Sequence, residues 1–190
     1  MARINWKKDV FTIPNLLSFL RLGLIPVYVV LYLRATTPAH YYLAGAILTV
    51  SCITDLVDGK IARKYGMIST LGMILDPIAD KATQFALMLC LVLRFGAMLP
   101  LIFIFVAKEL FQLVAGILAL RQKKMLNGAL WAGKICTSVL FVSLILLLVF
   151  PGIPVPVANG LLMADAVFLL ASFLQYFFAY FGPHKQLRDL

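Results

Sequence analysis

The chain alternates between long apolar stretches and short polar ones. A helix needs about 20 apolar residues to cross a bilayer, and six stretches approach that length. The predicted spans cover residues 13–33, 41–58, 72–93, 101–120, 130–150 and 157–181. Residues 1–12 mix basic and apolar side chains instead, which is typical of a short amphipathic helix lying on the membrane surface. The pattern therefore predicts an all-α integral membrane protein with six transmembrane helices and an N-terminal interfacial helix, organised as one domain over residues 1–190.

The composition supports a membrane protein. Hydrophobic residues make up 63% of the 190 positions and charged residues only 13%, whereas soluble domains carry about 25% charged residues. The formal charge of +9 suits contact with anionic lipids or phosphate-bearing ligands. Nucleic acid is a poor partner, because the basic residues are interleaved with predicted spans. The sequence shows no cleavable signal peptide, and Cys52, Cys90 and Cys136 lie in apolar stretches without metal-type spacing.

The distribution of basic residues predicts the orientation in the membrane. Six spans put both termini on one side, together with the links 59–71 and 121–128. That side carries eleven basic residues: Arg3, Lys7, Lys8, Lys60, Arg63, Lys64, Arg121, Lys123, Lys124, Lys185 and Arg188. The opposite turns carry only Arg34 and Arg94. Since basic residues favour the cytoplasmic side, both termini are predicted to be cytoplasmic.

Four of the eight acidic residues fall within 26 positions. Asp55 and Asp58 are three residues apart and Asp76 and Asp80 four apart, so each pair shares one face of a helix. Two helix ends brought together would direct four carboxylates at one point, an arrangement that suits hard cations such as Mg²⁺ or Mn²⁺. The alternative is helix capping or solvated surface. Ionisable residues beside membrane spans are costly, which favours a functional site.

These acids belong to a longer pattern. It reads Asp55-x-x-Asp58-Gly59-x-x-Ala62-Arg63, eight further residues, and Gly72-x-x-x-Asp76-x-x-x-Asp80. The pattern resembles the signature of the CDP-alcohol phosphatidyltransferase family at every fixed position. Two further segments resemble the bacterial members that make phosphatidylglycerophosphate: one runs from Ile13-Pro14-Asn15 to Arg21, and the other is Gly133-Lys134-x-x-Thr137.

The resemblance implies a reaction in which an alcohol hydroxyl attacks the β-phosphorus of a CDP-linked lipid and displaces CMP. It implies that two Mg²⁺ or Mn²⁺ ions bind Asp55, Asp58, Asp76 and Asp80, with Asp80 also accepting the hydroxyl proton. The favoured substrates are CDP-diacylglycerol and glycerol 3-phosphate, and the implied assembly is a homodimer. Inositol phosphate, serine or phosphatidylglycerol are alternative acceptors. A transporter with a carboxylate cluster is the alternative from another class.

The resemblance also assigns residues to the CDP-lipid. They are small residues for close approach, a guanidinium for the diphosphate, and polar residues facing the cleft: Gly59, Ala62, Arg63, Ser69, Asn15 and Arg21. Taken without the resemblance, several have structural alternatives. Gly59 fits a helix C-cap, Arg63 a positive-inside anchor, and Ser69 a helix N-cap.

The acceptor phosphate requires positive charge, and the candidates are Lys134, Thr137, Lys108 and Arg121. Lys134 and Thr137 share a helical face. Lys108 lies deep in a predicted span, where a lysine is expensive unless it is paired or in a polar cavity. The alternative for Lys108 is an ion pair with Glu109 or Asp165. Neither Lys81 nor Asp165 receives a role of its own.

Overall fold

The computed structural model describes residues 12–37, 39–51, 70–126, 131–150, 152–182 and 187–189. Within these ranges the chain is almost entirely helical. The helices are α1 (Ile13–Leu33), α2 (39–51), α3 (Thr70–Val92), α4 (Met98–Arg121), α5 (Trp131–Val149) and α6 (Val155–Phe181). Two three-residue strands complete the described part, β1 (Lys124–Leu126) and β2 (Leu187–Asp189).

Several described helices have the length and composition of membrane spans. The three that qualify lie at Asn15–Leu33, Met98–Arg121 and Val155–Phe181, and Gly133–Val149 is a shorter apolar helix. The large apolar side chains on these helices are widely exposed, as expected for surfaces in contact with lipid. The chain is therefore a helical membrane protein. The count of six spans stays a prediction, and the N-terminal interfacial helix lies outside the described residues.

Helices α4 and α6 begin earlier than the sequence predicts, and both carry a proline in their first turn. Helix α4 begins at Met98, two residues before Pro100, and α6 begins at Val155 immediately before Pro156. A proline in the first turn costs no helical hydrogen bond, because the amide groups there have no intrahelical acceptor. The sequence prediction left Pro100 and Pro156 in the turns before these helices, and both residues instead belong to the helices.

The chain divides into two compact units. The first comprises Met1–Cys90 with Leu148–Pro151, and the second comprises Leu91–Leu147 with Gly152–Leu190. In the first unit, α1 packs on α3, where the Tyr28 hydroxyl donates to the carbonyl oxygen of Thr83 at 3.2 Å. Helix α2 approaches the end of α5 closely at Gly45, where an added Cβ would lie 2.9 Å from Val149 Cγ2. The single-domain prediction stays untested.

The second unit is held together by aromatic packing between α4 and α6. The ring of Phe111 lies 4.8 Å from that of Phe173 and 6.0 Å from that of Phe177, measured between centroids. Phe173, Phe177 and Phe181 are four residues apart and so form one stripe along α6. Such a stripe gives α4 a continuous surface to pack against.

A short antiparallel ladder departs from the all-α prediction. Strand β1 pairs with β2, with Lys124 opposite Asp189 and Leu126 opposite Leu187. The sequence predicts an irregular loop and a tail for these residues. Three residues are too few to show the alternation that identifies a strand, so only the pairing of the two distant segments reveals it.

Candidate active site

Helix α1 has a polar face that is buried in protein. Asn15, Ser18 and Arg21 are spaced three residues apart on that face, and the whole of Arg21 is only 3% exposed. Leu16 and Phe19 lie on the outward side and are exposed. Burying polar side chains on an apolar helix is costly unless they bind partners, so this face requires hydrogen-bonding groups on its neighbour.

Those groups are the two acids of α3. The Ser18 hydroxyl donates to Oδ1 of Asp76 at 2.5 Å, and Arg21 Nη1 donates to Oδ1 of Asp80 at 2.7 Å. Asp76 and Asp80 are one turn apart, so both carboxylates face the same side of α3. The arrangement fixes the position of two carboxylates by contacts from a single neighbouring helix.

Asp80 combines a fixed orientation with access from outside the protein. Its side chain is 47% exposed, although the Arg21 side chain that binds it is almost fully buried. A charge-assisted hydrogen bond from a buried guanidinium orients the carboxylate strongly. An oriented and accessible carboxylate is suited to accepting a proton or binding a cation.

The carboxylates that the structure describes supply part of a metal site. Asp76 and Asp80 supply carboxylate oxygens, which divalent hard cations prefer. Asp55 and Asp58 lie outside the described residues, as do Gly59, Ala62, Arg63 and Ser69. In the part of the chain that the structure describes, no group of three or more acidic, histidine or cysteine side chains forms a metal site.

The sequence pattern assigns Ser18 no role. The structure places its hydroxyl on Asp76, one of the four signature acids. The available signal was the spacing of Asn15, Ser18 and Arg21, which puts three polar residues on one face of an otherwise apolar helix.

Lys108 lies within the second unit and is paired. It is 3% exposed, and its ammonium nitrogen lies 2.8 Å from Oε1 of Glu109 and 5.9 Å from the ring centroid of Tyr176. The structure thus contains one of the two ion pairs that the sequence left open for Lys108. Asp165 instead accepts a hydrogen bond from the Ser143 hydroxyl at 3.0 Å, which joins α5 to α6.

The other acceptor candidates lie at helix ends in the same unit. Lys134 is exposed in the first turn of α5, with its ammonium nitrogen 5.3 Å from the ring centroid of Trp131. One turn further, the Thr137 hydroxyl donates to the carbonyl oxygen of Gly133 at 2.9 Å. Arg121 is the exposed last residue of α4. The structure therefore brings Lys134 and Thr137 onto neighbouring turns around Gly133.

Comparison with known proteins identifies the family. The family model for CDP-alcohol phosphatidyltransferases matches residues 11–174. The probable phosphatidylglycerophosphate synthase of Mycobacterium tuberculosis is 31% identical over 173 residues, covering 88% of this chain and 80% of that protein. The CDP-diacylglycerol–glycerol-3-phosphate 3-phosphatidyltransferase of Escherichia coli K12 is 31% identical over 170 residues, covering 87% of this chain and 93% of that protein.

A further relative is larger. It is a cardiolipin synthase (CMP-forming) and mitochondrial hydrolase fusion protein of Schizosaccharomyces pombe, 37% identical over 119 residues. The match covers 63% of this chain and only 19% of the fusion protein. The matched family region contains the whole acidic signature and the two helices that carry Ser18, Arg21, Asp76 and Asp80. The chain therefore belongs to the CDP-alcohol phosphatidyltransferase family, whose members are membrane transferases of phospholipid biosynthesis.

Proposed function

We propose that the chain transfers the phosphatidyl group of CDP-diacylglycerol to glycerol 3-phosphate, releasing CMP and forming phosphatidylglycerophosphate. The observation that carries the proposal is the contact of Ser18 and Arg21 with Asp76 and Asp80, the second half of the family signature. Two relatives named for phosphatidylglycerophosphate synthesis match across most of the chain and support this acceptor.

The reaction is a displacement at phosphorus. A hydroxyl oxygen of glycerol 3-phosphate forms a bond to the β-phosphorus of CDP-diacylglycerol, and the bond from that phosphorus to the bridging oxygen breaks. CMP leaves with that oxygen, and Asp80 accepts the proton of the attacking hydroxyl. Arg21 holds one oxygen of Asp80 at 2.7 Å and so keeps the accepting group in one orientation.

The metal requirement belongs to the same proposal. Members of the family are typically metal-dependent. Asp55, Asp58, Asp76 and Asp80 would together hold two divalent ions, Mg²⁺ or Mn²⁺. When bound, the ions supply neutralisation of the diphosphate charge during the displacement.

The remaining site residues are divided between the two substrates. Gly59, Ala62, Arg63 and Ser69, with Asn15 and Arg21 of α1, are proposed to bind the CDP-lipid. For the acceptor phosphate we propose Lys134, Thr137, Lys108 and Arg121. Lys134 is the central candidate, because it is exposed whereas the charge of Lys108 is offset by Glu109.

An acceptor panel tests the proposed function. The purified protein is incubated with labelled CDP-diacylglycerol and Mg²⁺, and with glycerol 3-phosphate, inositol phosphate, serine or phosphatidylglycerol in turn. We expect CMP and phosphatidylglycerophosphate to form with glycerol 3-phosphate. Cardiolipin formed from phosphatidylglycerol would favour the second candidate function, to which the fusion-protein relative points. Failure to release CMP with every acceptor would leave a transporter as the better explanation.

We also propose that the protein lies in a bacterial plasma membrane, as a homodimer with termini and active site on the cytoplasmic side. Thiol labelling tests the orientation after the three native cysteines are replaced. Gln122→Cys and Gly152→Cys each add one exposed thiol, after α4 and before α6. In intact cells, an impermeant reagent should label Gly152→Cys only, and Gln122→Cys should react after permeabilisation. The reverse result would invert the topology.

A further inference from the structure

The ring of Tyr176 on α6 touches two elements that the proposed function assigns to the acceptor. The Lys108 ammonium nitrogen lies 5.9 Å from the ring centroid. The Tyr176 hydroxyl lies against Gly133, the residue before Lys134. Nothing in the sequence assigns Tyr176 a role, because it lies far along the chain from both elements.

The contact with Gly133 leaves no room for a larger residue. A Cβ at position 133 would lie 2.8 Å from Tyr176 Oη and 3.0 Å from Cε2, and real Cβ atoms essentially never approach as closely as the first of these. Glycine is therefore required there for the close approach of α5 to the tyrosine ring. Since the carbonyl of Gly133 also accepts the Thr137 hydroxyl at 2.9 Å, any movement of Gly133 would shift Lys134 and Thr137 as well.

The contact with Lys108 restrains a buried cation. Lys108 is almost fully buried, and its ammonium nitrogen lies 2.8 Å from Glu109 Oε1 and 5.9 Å from the centroid of the Tyr176 ring. The ring face attracts a cation electrostatically and, unlike a second carboxylate, does not neutralise its charge. Tyr176 therefore limits the positions that the Lys108 side chain can adopt, without adding a second negative charge to that of Glu109.

We infer that Tyr176 is a positioning residue for a phosphate-bearing acceptor alcohol. Its ring sets the spacing between Lys108 on α4 and the Gly133–Thr137 turn of α5, so that both elements meet one acceptor. The inference rests on the proposed function, because it assigns these elements to the acceptor. It adds a residue from a third helix that the family signature does not contain.

Two substitutions of Tyr176 separate the ring from the hydroxyl. Tyr176→Leu removes the ring, and we expect the KM for the acceptor to rise about tenfold, within the range measured for cation–π contacts. Tyr176→Phe keeps the ring, so most of that rise in the acceptor KM should be absent in this variant. The KM for CDP-diacylglycerol should stay within about twofold of the wild-type value in both variants, since neither element is assigned to the lipid.

The glycine provides an independent test with a matched control. Gly133→Ala should raise the acceptor KM as Tyr176→Leu does, because the new Cβ displaces the tyrosine. Adding Tyr176→Phe to Gly133→Ala should reverse part of the increase, since it removes the oxygen at 2.8 Å but leaves the ring carbon Cε2 at 3.0 Å. The control is Gly116→Ala, whose Cβ would lie 3.6 Å from Tyr180 Oη, an ordinary contact, and it should leave both KM values unchanged.

The outcomes distinguish this inference from the proposed function. The wild-type enzyme is assayed first, and the variants are compared on the acceptor that it uses. If no acceptor releases CMP, the proposed function and the role of Tyr176 are both wrong. If the wild type is active but Tyr176→Leu and Gly133→Ala leave the acceptor KM unchanged, or raise both KM values together, only the role of Tyr176 is wrong.

Discussion

Asp80→Asn is expected to lower the rate of CMP release by about 10²- to 10⁴-fold, the contribution of a general base. The amide of asparagine cannot accept the hydroxyl proton, but its carbonyl oxygen can still accept the hydrogen bond that Arg21 donates at 2.7 Å. The contact between α1 and α3 should therefore persist, and CDP-diacylglycerol should still bind. Initial rates at saturating substrate, together with equilibrium binding of the CDP-lipid, measure the two effects separately.

The control is the same substitution at Asp165, an acid that is buried whereas Asp80 is partly exposed. Asp165 on α6 accepts a hydrogen bond from the Ser143 hydroxyl, as Asp76 does from Ser18, but lies outside the acidic signature. Asp165→Asn should keep turnover within about twofold of the wild type, since the amide can still accept that bond. If the Asp80→Asn enzyme were as active as the Asp165→Asn control, Asp80 would have no role in the mechanism.

Chelation tests the metal in the same assay. Turnover should stop in EDTA and return when Mg²⁺ or Mn²⁺ is added in excess, because clustered carboxylates otherwise repel each other and the substrate diphosphate. Calcium is a useful comparison, since it binds oxygen ligands with a longer and less regular geometry. Full turnover in EDTA would contradict the two-metal proposal while leaving the family membership unaffected.

Lys134→Ala is expected to raise the KM for glycerol 3-phosphate about ten- to a hundredfold, with little change in the KM for CDP-diacylglycerol. Loss of a charge-assisted hydrogen bond costs roughly 1.5–3 kcal/mol, which corresponds to that range. The structure favours Lys134 over Lys108 for this role, because Lys134 is exposed and Lys108 is buried against Glu109. Steady-state kinetics with each substrate varied in turn gives both constants.

Arg94→Ala is the matched control for Lys134→Ala. Arg94 is an exposed cation whose guanidinium carbon lies 5.1 Å from the ring centroid of Phe95, much as Lys134 lies over Trp131. The Arg94→Ala substitution removes the same charge and a similar ring contact, on the side of the membrane predicted to be opposite the active site. We expect no change in either KM. The acceptor assignment would be wrong if Lys134→Ala weakened CDP-lipid binding, or if unphosphorylated alcohols reacted as well as glycerol 3-phosphate.

The helices could be predicted from the sequence because they depend on local composition. A stretch of apolar residues long enough to cross a bilayer must be helical to satisfy its own backbone hydrogen bonds, whatever it packs against. The errors fall at boundaries and in very short elements. Pro100 and Pro156 fit inside the first turn of a helix, and three-residue strands carry no periodic signal.

The candidate site could be predicted where its residues follow each other at helical spacing. Asp76 and Asp80 share a face of α3 because they are four residues apart, and this holds for any packing of the helix. The partners of these acids could not be predicted in this way. Ser18 and Arg21 are 58 and 59 positions away from them, and nothing in the local pattern decides which helix faces α3.

The sequence by itself determined the membrane character, the family signature and the helical face that carries Asp76 and Asp80, because each follows from spacing along one segment. Only the tertiary structure decided that Lys108 pairs with Glu109, which the sequence had left open against Asp165. It alone brought Tyr176 close to both Lys108 and Gly133. The physical reason is that partners are chosen when helix faces pack, and that choice depends on shape and on every competing contact rather than on the spacing within one helix.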